Sequence, residues 1–418
     1  MMKKLKIGVL GASRGMEFAR RVLADSPYAE VTAICEAYAP LCQKAKDAME
    51  SDGHPVACFT DYDAFLDSSP DAVILCNFAN EHAPYAIRAL SRGIHVMSEV
   101  QPAQSLAEAA MLCQAVEDSG CVYAYAENYC YLDGHFALRQ MVEDGRIGEV
   151  VSLEGEFCND CSAKWHMLTR GRRDHWRNFV PSTFYCTHSI APMLYATGLR
   201  ATRVNGLEIP RMDYMAQVGA RSGSAAMEVM ELSNGGMARS THGNLRYPYT
   251  TKIRLIGADG SLESNSETVT YYRANGSGGF ETRSYKAAFV DFPYRNHTDF
   301  GAIGNGDYSA VGFFLAKIFG DDQWGKYAID IYSALDMALP GLLAFRSILD
   351  HGAPYAVPDF RDPAVREKYR DDLYCTDPRT PELYRLATSK SGTPDVDEAI
   401  YEAVQAKFNG VELTPGQK

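Results

Sequence analysis

Lys4-Leu-Lys-Ile-Gly-Val-Leu10, followed at once by Gly11-Ala-Ser-Arg-Gly15 and then by Glu30-Val-Thr-Ala-Ile-Cys-Glu36, is the stretch that decides the fold. The first run is mostly apolar and short enough for a buried strand. Behind the glycine turn, Phe18, Ala19, Val22 and Leu23 recur at helical spacing. The second apolar run predicts another strand, and it ends in an acid, Glu36. Strand, glycine turn, helix, strand, acid is the order of a dinucleotide-binding βαβ unit. Gly11 allows a tight turn, and the small Ser13 lets backbone approach a pyrophosphate. Arg14 and Gly15 complete the turn, and the helix N-terminus offers N–H groups and a positive dipole end to phosphate. Glu36 can accept hydrogen bonds from both ribose hydroxyls and repels a 2′-phosphate, so the expected cofactor is NAD rather than NADP. The fingerprint is incomplete, with Ser13 and Met16 where two further glycines are usual.

A chain of 418 residues has room for two or three domains. Its apolar content of 46% and charged content of 22% are those of a soluble globular protein. A net charge of −12 argues against nucleic acid or an anionic membrane as partner. Only one of the cysteine spacings, Cys158-Asn-Asp-Cys161, suits a metal, and no second pair accompanies it, so no metal is expected. Free thiols in a reducing compartment, the cytoplasm, are the expectation. Met1-Met-Lys-Lys-Leu5 has the charge of a signal n-region, but the apolar run behind it is needed as a strand. No stretch is long and apolar enough to span a membrane.

Outward from the opening unit, Ala39 to Ser51 predicts a helix, with a short segment around Phe59. Asp71-Ala-Val-Ile-Leu-Cys76, Ile94 to Ser98 and Cys121 to Ala126 predict three more buried strands, with helices at Ala83 to Arg92 and Leu106 to Glu117. Alternating strands and helices imply a parallel sheet, placed at residues 1–126. From residue 127 to 418 the texture changes. A helix is predicted at Tyr131 to Asp144. Strands follow at Val150 to Phe157, Asp213 to Val218, Ser224 to Leu232, Gly236 to His242, Thr251 to Ile256 and Thr268 to Tyr272. Helices are predicted at Asp307 to Phe319 and Asp330 to Leu349, with a mostly helical tail over Asp362 to Phe408. The expected class is α/β: a Rossmann domain, then an α+β domain on a mostly antiparallel sheet.

Asp71 to Cys76, His82-Ala-Pro-Tyr-Ala-Ile-Arg-Ala-Leu90 and Gly93-Ile-His-Val-Met-Ser-Glu99 resemble the Gfo/Idh/MocA oxidoreductases. So do Gly145-Arg-Ile-Gly-Glu-Val-Val151, Ile256-Gly-Ala-Asp-Gly-Ser-Leu262 and the Pro340-Gly, Ser347-Ile, Gly352-Ala-Pro series. The resemblance implies a Rossmann domain followed by a large open sheet whose exposed face makes homo-oligomer contacts. Two family features are missing. The usual Glu-Lys-Pro reads Glu99-Val-Gln-Pro102, and Phe184 stands where an Asp usually precedes the catalytic His. Glu127-Asn-Tyr-Cys-Tyr131 and Tyr185-Cys-Thr-His-Ser189 are similar to active-site segments of a divergent branch, the NAD-dependent glycosidases related to α-N-acetylgalactosaminidase.

That resemblance makes His188 the candidate base and sets Asn128 at the cofactor, beside Gly11, Ser13, Arg14, Gly15 and Glu36. Tyr185 and Tyr131 are either substrate-facing phenols or tyrosines packing a wall. Asn77 and His82 lie in the loop at a strand's carboxyl end, where ligands bind, and His82 either flanks the cofactor or caps its helix. Glu99, at a strand tip, is either a cofactor-side acid or a salt-bridged loop residue. Glu127, at a strand tip, is either a site acid or a salt-bridged loop residue. His175, Trp176 and Arg177 suit sugar stacking and hydroxyl recognition, or else belong to a folded loop without a ligand. The expected substrate is a small carbohydrate, oxidised by hydride transfer at a carbinol carbon, C3. Two alternatives stay open: a glycosidase with no net redox change, and an inactive NAD-binding sensor.

Overall fold

The computed structural model describes residues 3–288, 291–295 and 301–410. Met1 and Met2 of the opening run lie outside them. Six strands form the first sheet: β1 (Leu5–Leu10), β2 (Ala29–Cys35), β3 (Ala57–Phe59), β4 (Ala72–Leu75), β5 (His95–Ser98) and β6 (Tyr123–Tyr125). They run parallel in the order β3-β2-β1-β4-β5-β6, with the switch point between β1 and β4. In such a sheet ligands bind at the strands' carboxyl ends, beside that switch. The helices between are α1 (Gly15–Glu17, continued by a π-helical turn Phe18–Val22), α2 (Ala39–Ser51), α3 (Tyr62–Asp67), α4 (His82–Leu90) and α5 (Leu106–Ser119). Phe18, Ala19, Val22 and Leu23 are all buried, as their spacing requires. Helix α5 is capped by Ser105, whose hydroxyl accepts from the Glu108 N–H, and it stops at Gly120 in the left-handed region. Cys42 of α2 and Cys58 of β3 form a disulfide, which corrects the expectation of free thiols throughout.

Helix α6 (Asp133–Glu143) leads into a nine-stranded sheet. Its strands are β7 (Val150–Cys158), β8 (Ala201–Ile209), β9 (Ala225–Leu232), β10 (Met237–Gly243), β11 (Thr250–Gly257), β12 (Gly260–Ser264), β13 (Thr268–Ala274), β14 (Phe280–Lys286) and β15 (Tyr355–Ala356). Their order is β14-β13-β12-β11-β7-β10-β9-β8-β15, and every pairing is antiparallel except β10 with β7. Two short helices, α7 (Trp165–Thr169) and α8 (Thr187–Thr197), lie between β7 and β8. One expected strand is a helix instead: Asp213–Ala216 forms α9, because Met212 enters it extended and its own Asp213 supplies a first-turn acid. Helices α10 (Gly301–Ile318), α11 (Asp322–Gly325) and α12 (Ile331–Leu349) follow, the last capped by Asp330. The tail also departs from expectation. Only α13 (Pro363–Glu367) and α14 (Glu398–Asn409) are α-helical, and the rest is irregular chain held by side-chain bonds.

Helix α8 lies directly on β7. A side chain at Gly155 would meet the Ser189 carbonyl oxygen at 2.3 Å, so only glycine permits this approach. Behind it, two buried polar residues interrupt the apolar layer. Glu228 of β9 and His242 of β10 stand 3.6 Å apart, carboxylate to Nδ1. Burial pushes Glu228 up to about 8 and His242 down to about 3, so the pair is uncharged at neutral pH.

Candidate active site

The glycine turn is built as a cradle. Gly11 has φ of +95°, and an added Cβ would lie 2.5 Å from the Cys76 carbonyl oxygen. An added Cβ at Gly15 would lie 2.5 Å from Val9 Cγ1, so Gly15 gives the close helix-on-strand packing that Met16 cannot. Ser13 is half-buried beside it. The Glu36 carboxylate accepts from the Ala12 N–H and the Tyr38 N–H, both at 3.1 Å, which fixes an acid at the lip of the turn. Asn77, at the carboxyl end of β4, has both side-chain polar atoms buried without a partner. A cradle closed to any Cβ, a fixed acid and an orphaned amide fit a bound dinucleotide.

Arg14 reaches from the turn to the second domain. Its guanidinium donates to Glu99 at 2.7 Å and to both oxygens of Asp307 at 2.9 and 2.6 Å. Asn128 donates to the same Asp307 at 3.0 Å. Burial pushes the Glu99 carboxyl up, and Arg14 opposes it. Arg14, Glu99 and Asn128 thus meet at one place, with their charged atoms engaged by one another. Asp307, on α10, is the member sequence reasoning missed; it was visible only as the first residue of an expected helix.

His188 lies in the first turn of α8. Its Nδ1 faces Glu127 at 2.9 and 3.1 Å, and Glu127, just past β6, is fully buried. With Nδ1–H donated to the carboxylate, Nε2 is left as the acceptor, and it has no partner among the described residues. Tyr129 stacks on the imidazole at 4.2 Å, Phe157 meets it edge-on at 4.7 Å, and Tyr185 lies parallel at 5.7 Å. The hydroxyls of Tyr129 and Tyr249 are 2.7 Å apart. Burial pushes the Tyr185 phenol up, with Arg177 opposing, so Tyr185 stays a neutral donor. A base oriented by a buried carboxylate and walled by rings can take a proton from a hydroxyl held beside it.

Four candidates sit differently from expectation. Tyr131 is 2% exposed, and its hydroxyl donates to the Tyr327 carbonyl and accepts from the Ile329 N–H, so it is a core residue. His82 is buried with Nδ1 bonded to the Gln101 carbonyl at 2.9 Å; it props the Glu99–Gln101 segment and is pushed down to about 4 by burial. His175 and Trp176 are buried too. Trp176 packs with Ala79 and Phe184, and His175 Nδ1 accepts the Arg177 N–H, so both help to position Arg177. Gln101, near the missing lysine, is buried. Its amide donates to the Phe184 carbonyl and to Thr187 Oγ1, tying the Rossmann domain to the start of α8. Among the described residues no group of three or more His, Cys, Asp or Glu side chains could hold a metal ion.

This fold and cradle define an NAD-binding Rossmann oxidoreductase. The family model described as "Oxidoreductase family, NAD-binding Rossmann fold" matches residues 5–127. The dTDP-3,4-didehydro-2,6-dideoxy-alpha-D-glucose 3-reductase of Streptomyces violaceoruber is 30% identical over 268 residues, covering 62% of this chain and 72% of that one. The chain belongs to the Gfo/Idh/MocA family. A glycosyl hydrolase family 109 protein of Streptomyces coelicolor is 24% identical over 393 residues, 82% of this chain and 80% of that one. An inositol dehydrogenase homolog from Azotobacter vinelandii, solved with NADH and myo-inositol, shares the fold. Its TM-score is 0.68 at 15% identity, over 85% of this chain and 98% of that one.

Proposed function

We propose that this enzyme acts on a carbohydrate by hydride transfer at a carbinol carbon, C3, with residues 127–418 as the substrate and assembly domain. The observation that carries the reading is the His188–Glu127 pair at the carboxyl edge of the Rossmann sheet. The sugar 3-reductase among the relatives supports both the substrate class and the carbon.

NAD, held by the Gly11–Gly15 turn, Glu36 and Asn77, supplies the hydride acceptor. His188 Nε2 takes the hydroxyl proton, and Glu127 steadies the imidazolium that results. Tyr185 donates a hydrogen bond to a neighbouring oxygen and stays protonated. Glu99, Asp307 and Arg14 hold the two domains in register around the cleft.

A second reading is favoured by Gln101, whose amide is spent on structural bonds where a proton-transferring lysine is usual. In it the transient ketone acidifies the adjacent C–H, the aglycone leaves, water adds, and the hydride taken in the first step returns to the ketone carbon, so the sugar departs without net oxidation. The family 109 relatives support that reading. The inactive-sensor alternative is weakened by the complete His188–Glu127 pair. Incubation with sugars and aryl glycosides, following NADH absorbance and released phenol, separates the three. NADH alone marks a dehydrogenase, phenol alone a glycosidase, and neither signal refutes both. We also place a second copy of the chain on the outer face of the nine-stranded sheet. Leu207, Met227, Val229 and Met237 are exposed there at 63%, 39%, 45% and 59%.

A further inference from the structure

The chain between β7 and α8 carries an unusual charge for so acidic a protein. Lys164, Arg170, Arg172, Arg173 and Arg177 stand there against only Asp160 and Asp174. Arg172 is paired with Asp174 at 2.9 Å, and Arg173 with Glu398 at 2.7 Å. Arg246 lies 3.6 Å from Asp160. Arg177 has no carboxylate partner among the described residues. It is half-buried, with its guanidinium carbon 4.8 Å from the Trp176 ring and 5.3 Å from the Tyr185 ring. The Tyr185 ring in turn lies against His188. The two rings flank this cation, which interacts with the Tyr185 hydroxyl and has no counter-charge beside it among the described residues. Its field is felt next door: burial, then Arg177, Arg172 and Arg170, push the His175 imidazole down to about 3.

We propose that the substrate held beside His188 carries a carboxylate, and that Arg177 binds it. A planar carboxylate is the partner that a fixed guanidinium fork accepts through two parallel hydrogen bonds. The inference rests on the carbohydrate reading and narrows it to acidic sugars, the uronic acids and their glycosides. Arg177 is then a specificity residue, set one ring away from the base.

The test is calorimetric titration of the full, NAD-loaded protein with methyl β-D-glucuronide and methyl β-D-galacturonide, each against its neutral glycoside. One uronate is expected to bind tighter than its neutral match by about tenfold or more, with the advantage shrinking as salt rises. Arg177→Gln removes that advantage and leaves NAD affinity unchanged, while Arg177→Lys keeps part of it. Equal binding of uronate and neutral sugar overturns the proposal and leaves the carbohydrate reading standing. A loss of NAD affinity in Arg177→Gln overturns it by assigning the side chain to the cofactor. Binding of neither class overturns the carbohydrate reading and this inference with it. If Arg177→Gln does not fold, the wild-type salt dependence and Arg177→Lys still decide.

Discussion

His188 is placed by two different constraints. The close seat of α8 on β7 fixes its backbone, and Glu127 fixes its ring. Replacing His188 with Ala removes the base, and it also takes a ring from between Tyr129 and Phe157 and leaves the buried Glu127 carboxylate without its partner. Turnover per folded molecule should fall about 10²- to 10⁴-fold with NAD affinity retained, while the melting temperature drops. Glu127→Gln keeps the hydrogen bond but loses the charge, so a smaller fall is expected. A steady-state comparison of both variants with calorimetric NAD binding checks this. At the glycine turn, Glu36 is proposed to accept from the ribose hydroxyls. NAD should bind more tightly than NADP, and Glu36→Ser should narrow the gap. Equal wild-type affinities for the two would refute the role given to that carboxylate.

At the scale of elements, the first turn of α1 depends on Gly15. Gly15→Ala forces a methyl into Val9, so it should cost about 1–3 kcal/mol and lower the melting temperature. The Glu228–His242 pair makes a second test. Burial raises Glu228 above its unfolded value, so it costs nothing in acid, where both states are protonated. Its penalty grows as pH rises from the unfolded carboxyl range through about 8. Glu228→Gln should therefore stabilise the protein at pH 9 and leave it unchanged near pH 4; denaturant midpoints at the two values decide. The strands and helices of the Rossmann half were legible because buried apolar runs and helical spacing there are clean. The Asp213 segment was not, because a short apolar-polar alternation reads as strand when the capping geometry is unseen. Strands β8, β12, β14 and β15 escaped, because short, mixed or exposed runs such as that of β14 carry no apolar period. The places of His188 and Glu36, at the head of α8 and just past β2, follow from motif and order, and the roles given to them are proposals. Tyr131, His82, His175 and Trp176 were open between a site and a core because aromatic and imidazole side chains serve either, and all four are buried. Arg14's partner Asp307 is far along the chain, and no local pattern joins them.

Among the described residues five histidines, His82, His135, His166, His175 and His242, are buried, and burial pushes all five below their ordinary value. Burial pushes His82 and His135 down to about 4, and His175 and His242 down to about 3. Each folded-state value lies below the ordinary one, so the unfolded chain binds more protons in between. Stability should fall as pH drops from about 6.5 toward 4, and a melting-temperature series across that range checks it. A flat series would mean that these rings become charged inside the fold. The exposed apolar residues among the ion pairs on the outer face of the second sheet add an assembly prediction. Val229→Lys should shift the protein to a smaller species in size-exclusion light scattering without changing its NAD affinity. The central claim, that His188 takes the proton as hydride leaves a sugar carbon, is tested most directly in a single turnover. NAD-loaded wild type and His188→Ala are mixed with a panel of sugars and glycosides deuterated at C3, and absorbance at 340 nm is followed. The account predicts a transient or lasting rise for the wild type, slowed by the deuterium, and its loss in the variant by at least about a hundredfold in rate. A variant that reduces NAD as fast as the wild type, with the same isotope effect, would contradict it.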